Sequence, residues 1–293
     1  EATDFEQGNR NKKKGTNDPK AYDQYIAEHP LCPSEATLQV SSNLFDISSL
    51  QEQYNKVKAN KLHAIGTAGR LYYGKDNKIK FEPDGDARPI LRFPHRKEDN
   101  LEGAIVLYEG PYRNQEGQTP HNLYVVCHDP YGQNQSADSS SLGAAYVIKR
   151  INNISKPDDL IVASYVGRPH TQDEYNKNLF MLADYYNAKI GFENDRGAVI
   201  QYARQHRKLH RLQEEFEMLD KKELRSRNVK RNYGMHTTEA RKRQGELYIR
   251  DWLNAVRSDD GDTITLNLHK IYDLALLQEL IKFNHRGNFD RVM

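Results

Sequence analysis

From residue 121 onward the chain alternates short apolar runs with turn-rich polar segments. LYVVCHD, LGAAYVIKR and DLIVASYVG are rich in Val, Ile, Ala and Tyr and are bounded by Asn, Asp, Ser or Gly. That composition predicts three strands, and the short connections between them predict an antiparallel meander. TQDEYNKNLFMLADYYNA then changes period. Thr171 and Glu174 fit a capping box, and Tyr175, Leu179, Leu182 and Tyr186 recur at spacings of 4, 3 and 4, as on one face of a helix. AKIGFEN follows as a strand reached by a helical crossover, which predicts parallel pairing with a neighbour. The predicted order is β-β-β-α-β.

The earlier part of the chain is less regular. Residues 1 to 20 are polar and charged and predict a flexible tail or linker. Residues 21 to 293 read as a single domain, made of a connector and β-rich extension over 21–118 and a core over 119–293. Within the connector, a turn is expected at Pro30–Pro33, and ISSLQEQYNKVKA places Leu50, Tyr54 and Val57 on one helical face. The extension shows β-like runs in GRLYYG, PILRFP and GAIVLYEGP.

Three acids stand at the ends of these elements: Asp129 in HNLYVVCHDPYG, Glu193 in AKIGFENDRG and Asp290 in FNHRGNFDRVM. The strand order and the acid positions predict an α/β domain with an RNase H-like mixed sheet flanked by helices. Carboxylates gathered at one sheet edge repel. At an effective dielectric near 20, two charges about 4 Å apart cost on the order of 4 kcal/mol. A shared proton or intervening divalent cations relieve that repulsion. The second solution is that of a two-metal nuclease.

The net charge of +2 hides a local imbalance. Residues 204–243 hold thirteen Lys and Arg against six Asp and Glu. A basic band beside an acidic cluster suits a polyanion that must reach metal ions, and Arg204, Lys208, Lys230, Arg231, Arg241, Lys242 and Arg243 are candidate DNA contacts. A solvated helical face is the competing reading, because Glu214, Glu215 and Glu217 interrupt the band. Cys32 and Cys127 are too few for a disulfide framework, and Cys127 reads as a small core residue. No apolar stretch is long enough to span a membrane, the polar N-terminus is not a signal peptide, and the opening Glu1 predicts a piece of a longer protein. His206 and His210, four apart on an expected helix, lack a third ligand and read as part of the basic face. His128 points away from Asp129, whereas His285 lies within reach of Asp290. The Ser139–Ser141 run lacks a nucleophile elbow.

EHPLCPSEATLQVSSNLFDISSLQEQ, HDPYGQNQSADSSSLGAAYVI, SYVGRPHTQDEYNKNLFMLADYYNAKIGFENDRGAVI and GNFDRVM, taken together and in this order, resemble the nuclease domain of the large terminase subunit of tailed bacteriophages. The resemblance implies that Asp129, Glu193 and Asp290 ligate two Mg²⁺ or Mn²⁺ ions, with Asp138 near the second metal and Asp290 opening a helix. Asp195 reads as a cap for a helix starting near Gly197. The implied activity is largely sequence-nonspecific cutting of double-stranded viral DNA concatemers in the host bacterial cytoplasm. The implied partners are the terminase ATPase domain, the small terminase subunit and the portal protein. No G-x-x-x-x-G-K-[ST] occurs, so no ATP hydrolysis is expected of this chain. Two alternatives are a resolvase or transposase with the same metal core, and a noncatalytic DNA-binding or portal-docking module.

Overall fold

The computed structural model describes residues 2–14, 25–26, 28–31, 43–96, 98–131, 141–194, 198–215, 233–259, 261, 264–284 and 289–292. The predicted meander is present as β4 (Tyr124–Asp129), β5 (Gly143–Lys149) and β6 (Leu160–Gly167), paired antiparallel in sequence. Helix α3 (Gln172–Tyr185) then crosses over to β7 (Lys189–Phe192), which lies parallel to β4. The Thr171–Glu174 capping box forms in both directions, so two otherwise orphaned amide groups at the start of α3 are satisfied. Tyr175, Leu179, Leu182 and Tyr186 are each no more than 1% exposed, as the 4-3-4 spacing predicts. Burying a side chain of that size contributes about 1.5–3 kcal/mol.

The N-terminal β segments are a continuation of this sheet. β1 (Thr67–Tyr73), β2 (Ile79–Pro83) and β3 (Ala104–Leu107) join it through β6, giving one seven-stranded mixed sheet in the order β2-β1-β3-β6-β5-β4-β7. Of the expected strands, PILRFP is not one. Its two prolines lack the amide donors a ladder needs, and IKFEP takes the place beside β1. Residues 2–14, expected as a tail, form helix α1 (Ala2–Lys14), where Arg10 donates to the His29 carbonyl and Glu6 accepts from the Tyr25 hydroxyl. Helix α2 (Ile47–Ala59) follows the predicted spacing, with Leu50 and Val57 buried and Asp46 capping its first turn.

The sheet separates two apolar layers. Alternate positions such as Val126, Ala145 and Val147 pack with α3 and with α4 (Ala198–Gln205). Ala144, Tyr146 and Val166, on the other face, pack with α2, α5 (Glu239–Asn254) and α6 (Leu274–Lys282). A short hairpin, β8 (Val256–Asp259) with β9 (Ile264–Leu266), lies between the last two helices in sequence. The architecture is therefore mixed α/β, with a seven-stranded sheet flanked by helices. Among the described residues no helix is long and apolar enough to cross a membrane.

A candidate acidic site at the sheet edge

Alternation along β4 decides which way each side chain points. Tyr124, Val126 and His128 are buried toward α3, while Val125, Cys127 and Asp129 face the other layer. The parallel β4–β7 register pairs Cys127 with Gly191 and His128 with Phe192. Asp129 is the last residue of β4, and Glu193 directly follows the end of the neighbouring β7. Glu193 is held from its outer side. Its backbone bridges Met235 in parallel, Met235 N donates to Phe192 O, and Asn194 N donates to Met235 O. Gly234, at φ +71, makes that approach feasible, because a Cβ there would meet the Phe192 carbonyl and ring at 2.9 Å.

Asp290 arrives at the same edge from the C-terminal segment. Asp129 is paired with Ala144 across β4–β5, and Ser141 and Leu142 lie just before β5. Ser141 Oγ donates to Asp290 Oδ1 at 2.8 Å, and Leu142 N donates to Asp290 Oδ2 at 2.8 Å. Asp290 sits in a turn rather than at the head of a helix, and it is only 6% exposed. What fixes that turn is the next residue. Arg291 Nη1 contacts Glu279 Oε1 at 2.6 Å, and its backbone amide donates to Glu279 Oε2 at 2.8 Å. Both side chains are buried, at 1% and 0% exposure.

Asp129 and Asp290 line one cleft of about 420 Å³, whose walls are mainly apolar and include Ile148, Ile161, Trp252 and Leu276. Both also act on Tyr175. Burial pushes that phenol well above its ordinary range, and Tyr165, Tyr131, Asp129 and Asp290 add to the effect. Asp159 lines the same cleft, but its carboxylate is occupied by Trp252 Nε1 and Asn267 Nδ2, each at 3.0 Å. Cys127 is not the core residue expected. It is exposed and opens onto the cleft.

Asp129 and Asp290 thus share one cleft, Glu193 directly follows the strand parallel to β4, and the oxygen-only donors of all three suit hard divalent cations. The arrangement is open. Among the described residues, no three His, Cys, Asp or Glu side chains converge into a ready-made cation cage. Asp138, Asp195, Gly197 and His285 lie outside the described residues, as do Cys32, Lys230 and Arg231.

The basic candidates divide. Arg204 and Arg243 are exposed and Lys242 is half-buried. Lys208 and Arg211 both pair with Asp184, and Arg241, only 4% exposed, donates to Glu215 and to the His236 carbonyl. Those three cations work within the fold. Helix α4 ends at Gln205, so His206 and His210 do not share a helical face, and His206 stacks on Tyr202. Sequence reading missed Ser141 as a partner of Asp290, Arg168, which reaches the Ser141 carbonyl, and Glu279. Nothing in their local pattern announces these long-range contacts, although Arg168 directly follows the β6 run.

His128 faces away from the acids, as expected. Its Nδ1 lies 3.0 Å from the Ala144 carbonyl, which makes that nitrogen the protonated one, and its ring stacks on Tyr175. Burial lowers its pKa from 6.5 to about 4, with the Ala144 hydrogen bond pulling the other way. A histidine depressed on folding contributes stability that is complete above its unfolded pKa. That contribution is lost as pH falls from about 6.5 toward 4 and reaches about 3 kcal/mol. His128→Phe should therefore flatten stability over this window relative to wild type, measured by urea unfolding at half-unit pH steps. Parallel curves for the two proteins would show that His128 is not buried neutral.

Comparison with protein-family models gives no match, and comparison with curated proteins gives none either.

Proposed function

We propose that this chain is a metal-dependent endonuclease of RNase H-like type, cutting double-stranded DNA with two Mg²⁺ or Mn²⁺ ions. The supporting observation is that Asp129 and Asp290, from separate parts of the chain, line one cleft, while Glu193 directly follows β7, the strand parallel to the one that Asp129 ends. Asp129, at the end of β4, one strand in from the sheet edge, is the candidate bridging ligand, with Glu193 and Asp290 the candidates for holding one ion each. When bound, divalent ions at such a site lower the pKa of a water nucleophile and neutralise charge on the leaving oxygen. The protein's own part is to hold three carboxylates at fixed separation. Strand ends serve this purpose, since the backbone is tied into the ladder while the side chain clears the core. Exposed Arg204 and Arg243 are candidates for phosphate contacts, which fix position without reading sequence. In the larger reading drawn from the terminase resemblance, the substrate is a viral DNA concatemer and the partners are a packaging ATPase domain, small terminase subunit and portal.

A noncatalytic DNA-binding or docking module is the second reading. It is favoured by the internal hydrogen bonds that occupy both oxygens of Asp290. Supercoiled plasmid separates the two. The nuclease should nick and linearise it in Mn²⁺ or Mg²⁺ and stop in EDTA. Binding without cutting in either metal would favour the second reading, and cutting that persists in EDTA would exclude a metal mechanism.

A further inference from the structure

Ser141 stands between Asp290 and Arg168. Its hydroxyl donates to Asp290 Oδ1 at 2.8 Å, while its carbonyl accepts from Arg168 Nη1 at 2.7 Å. Arg168 directly follows β6 and is itself fixed, because its amide donates to the Leu101 carbonyl and its guanidinium lies over the Tyr131 ring, 5.1 Å from the centroid. On the other side of Ser141, Leu142 N holds Asp290 Oδ2. The strand then continues through Gly143, where a Cβ would meet the Tyr175 ring at 2.6 Å and the Tyr131 ring at 2.9 Å. That packing fixes the height at which the Ser141–Leu142 donors sit. The backbone beyond Asp290 is fixed separately, by Arg291 N on Glu279 Oε2.

A carboxylate whose backbone is pinned still rotates about χ1 and χ2. Two donors arriving at two different oxygens remove that freedom, and each oxygen retains a second lone pair for another partner. We propose that Ser141 is a positioning residue for the acidic edge: its hydroxyl, braced through the Arg168–Ser141 carbonyl contact, sets the carboxylate plane of Asp290 toward a divalent cation shared with Asp129. This inference rests on the metal-dependent reading above. Groups that orient metal ligands in this way typically change metal affinity by about 10–100-fold when lost.

The test compares Ser141→Thr with Ser141→Val in the full chain. The two side chains have nearly the same shape, and only Thr keeps the hydroxyl, so packing effects cancel between them. Manganese binding is measured by calorimetry without DNA, and cleavage is measured across a Mn²⁺ titration. Ser141→Val should bind Mn²⁺ about tenfold more weakly and shift the cleavage midpoint by a similar factor. Its rate at saturating Mn²⁺ should approach wild type, and Ser141→Thr should behave as wild type throughout. Equal Mn²⁺ affinity for Thr and Val variants overturns the positioning role while leaving the nuclease reading intact. A lower saturating rate in Val with unchanged Mn²⁺ affinity also overturns it. Wild-type protein that binds no Mn²⁺ overturns both the reading and the inference.

Discussion

Asp129→Asn is expected to leave a folded protein that no longer cuts plasmid DNA in Mn²⁺. The substitution keeps the shape of the side chain and removes its charge at the end of β4, which runs parallel to the β7 strand that precedes Glu193, and beside Asp290 in the cleft. If Asp129 bridges the ions, cleavage should fall by about a thousandfold or more, corresponding to roughly 4 kcal/mol of lost transition-state stabilisation. Stability should stay level or rise slightly, because removing one of several like charges relieves repulsion. Glu193→Gln should act in the same direction. The measurement is single-turnover cleavage with thermal unfolding recorded on the same preparations. Wild-type rates in Asp129→Asn, with contaminating nuclease excluded, would place the chemistry elsewhere on the molecule.

The second large effect concerns stability. Glu279→Ala is expected to destabilise the protein by about 3–5 kcal/mol, because it leaves the Arg291 guanidinium buried without its counter-charge. The loss also strips the acceptor from two backbone amides, Arg291 N at 2.8 Å and Val292 N at 3.3 Å. Burial pushes the Glu279 carboxyl up to about 7 against the pull of Arg291, so the comparison belongs at pH 8, where the carboxylate is charged. Joint replacement by Glu279→Leu and Arg291→Met should recover much of the loss, since a well-packed apolar pair often matches a buried ion pair. Denaturant unfolding of the single and double variants gives the coupling. A single variant within about 1 kcal/mol of wild type would mean that Arg291 finds another partner.

The pattern-level reading did well where a signal is local. The 4-3-4 spacing in α3, the Thr171–Glu174 box and the β-β-β-α-β order all depend on residues close in sequence, and all are present. The parallel pairing of β7 with β4 also followed, because a crossover helix leaves few options for β7. The N-terminal segment was harder. β2 and β3 are short, and β3 is buried throughout, so it lacks the alternation that marks a strand. Nothing local could say that this extension would pair with β6 and lengthen the same sheet. Charge reading could not separate Lys208 and Arg241 from the other candidates for a related reason. A count along the chain cannot distinguish a cation facing solvent from one paired with Asp184 or Glu215. Cys127 was placed in the core by the apolar character of β4, whereas alternation sends it with Asp129 into the cleft.

The Ser141–Asp290 hydrogen bond joins residues 149 positions apart. Closing so long a loop is entropically costly before its contacts form. The contacts that secure it are Glu279 of α6 on Arg291, and Phe289 against Phe283, just after α6, and against Phe93. The acidic edge therefore shares its cooperativity with the last helix. Opening of α6 from the sheet would break the Glu279–Arg291 contacts that fix the backbone beside Asp290, together with the Tyr146–Asp273 hydrogen bond that ties the helix cap to β5. Local unfolding of that one unit would disarm the site reversibly. In amide exchange, the Leu142 and Arg291 amides should open together with α6, ahead of the central strands.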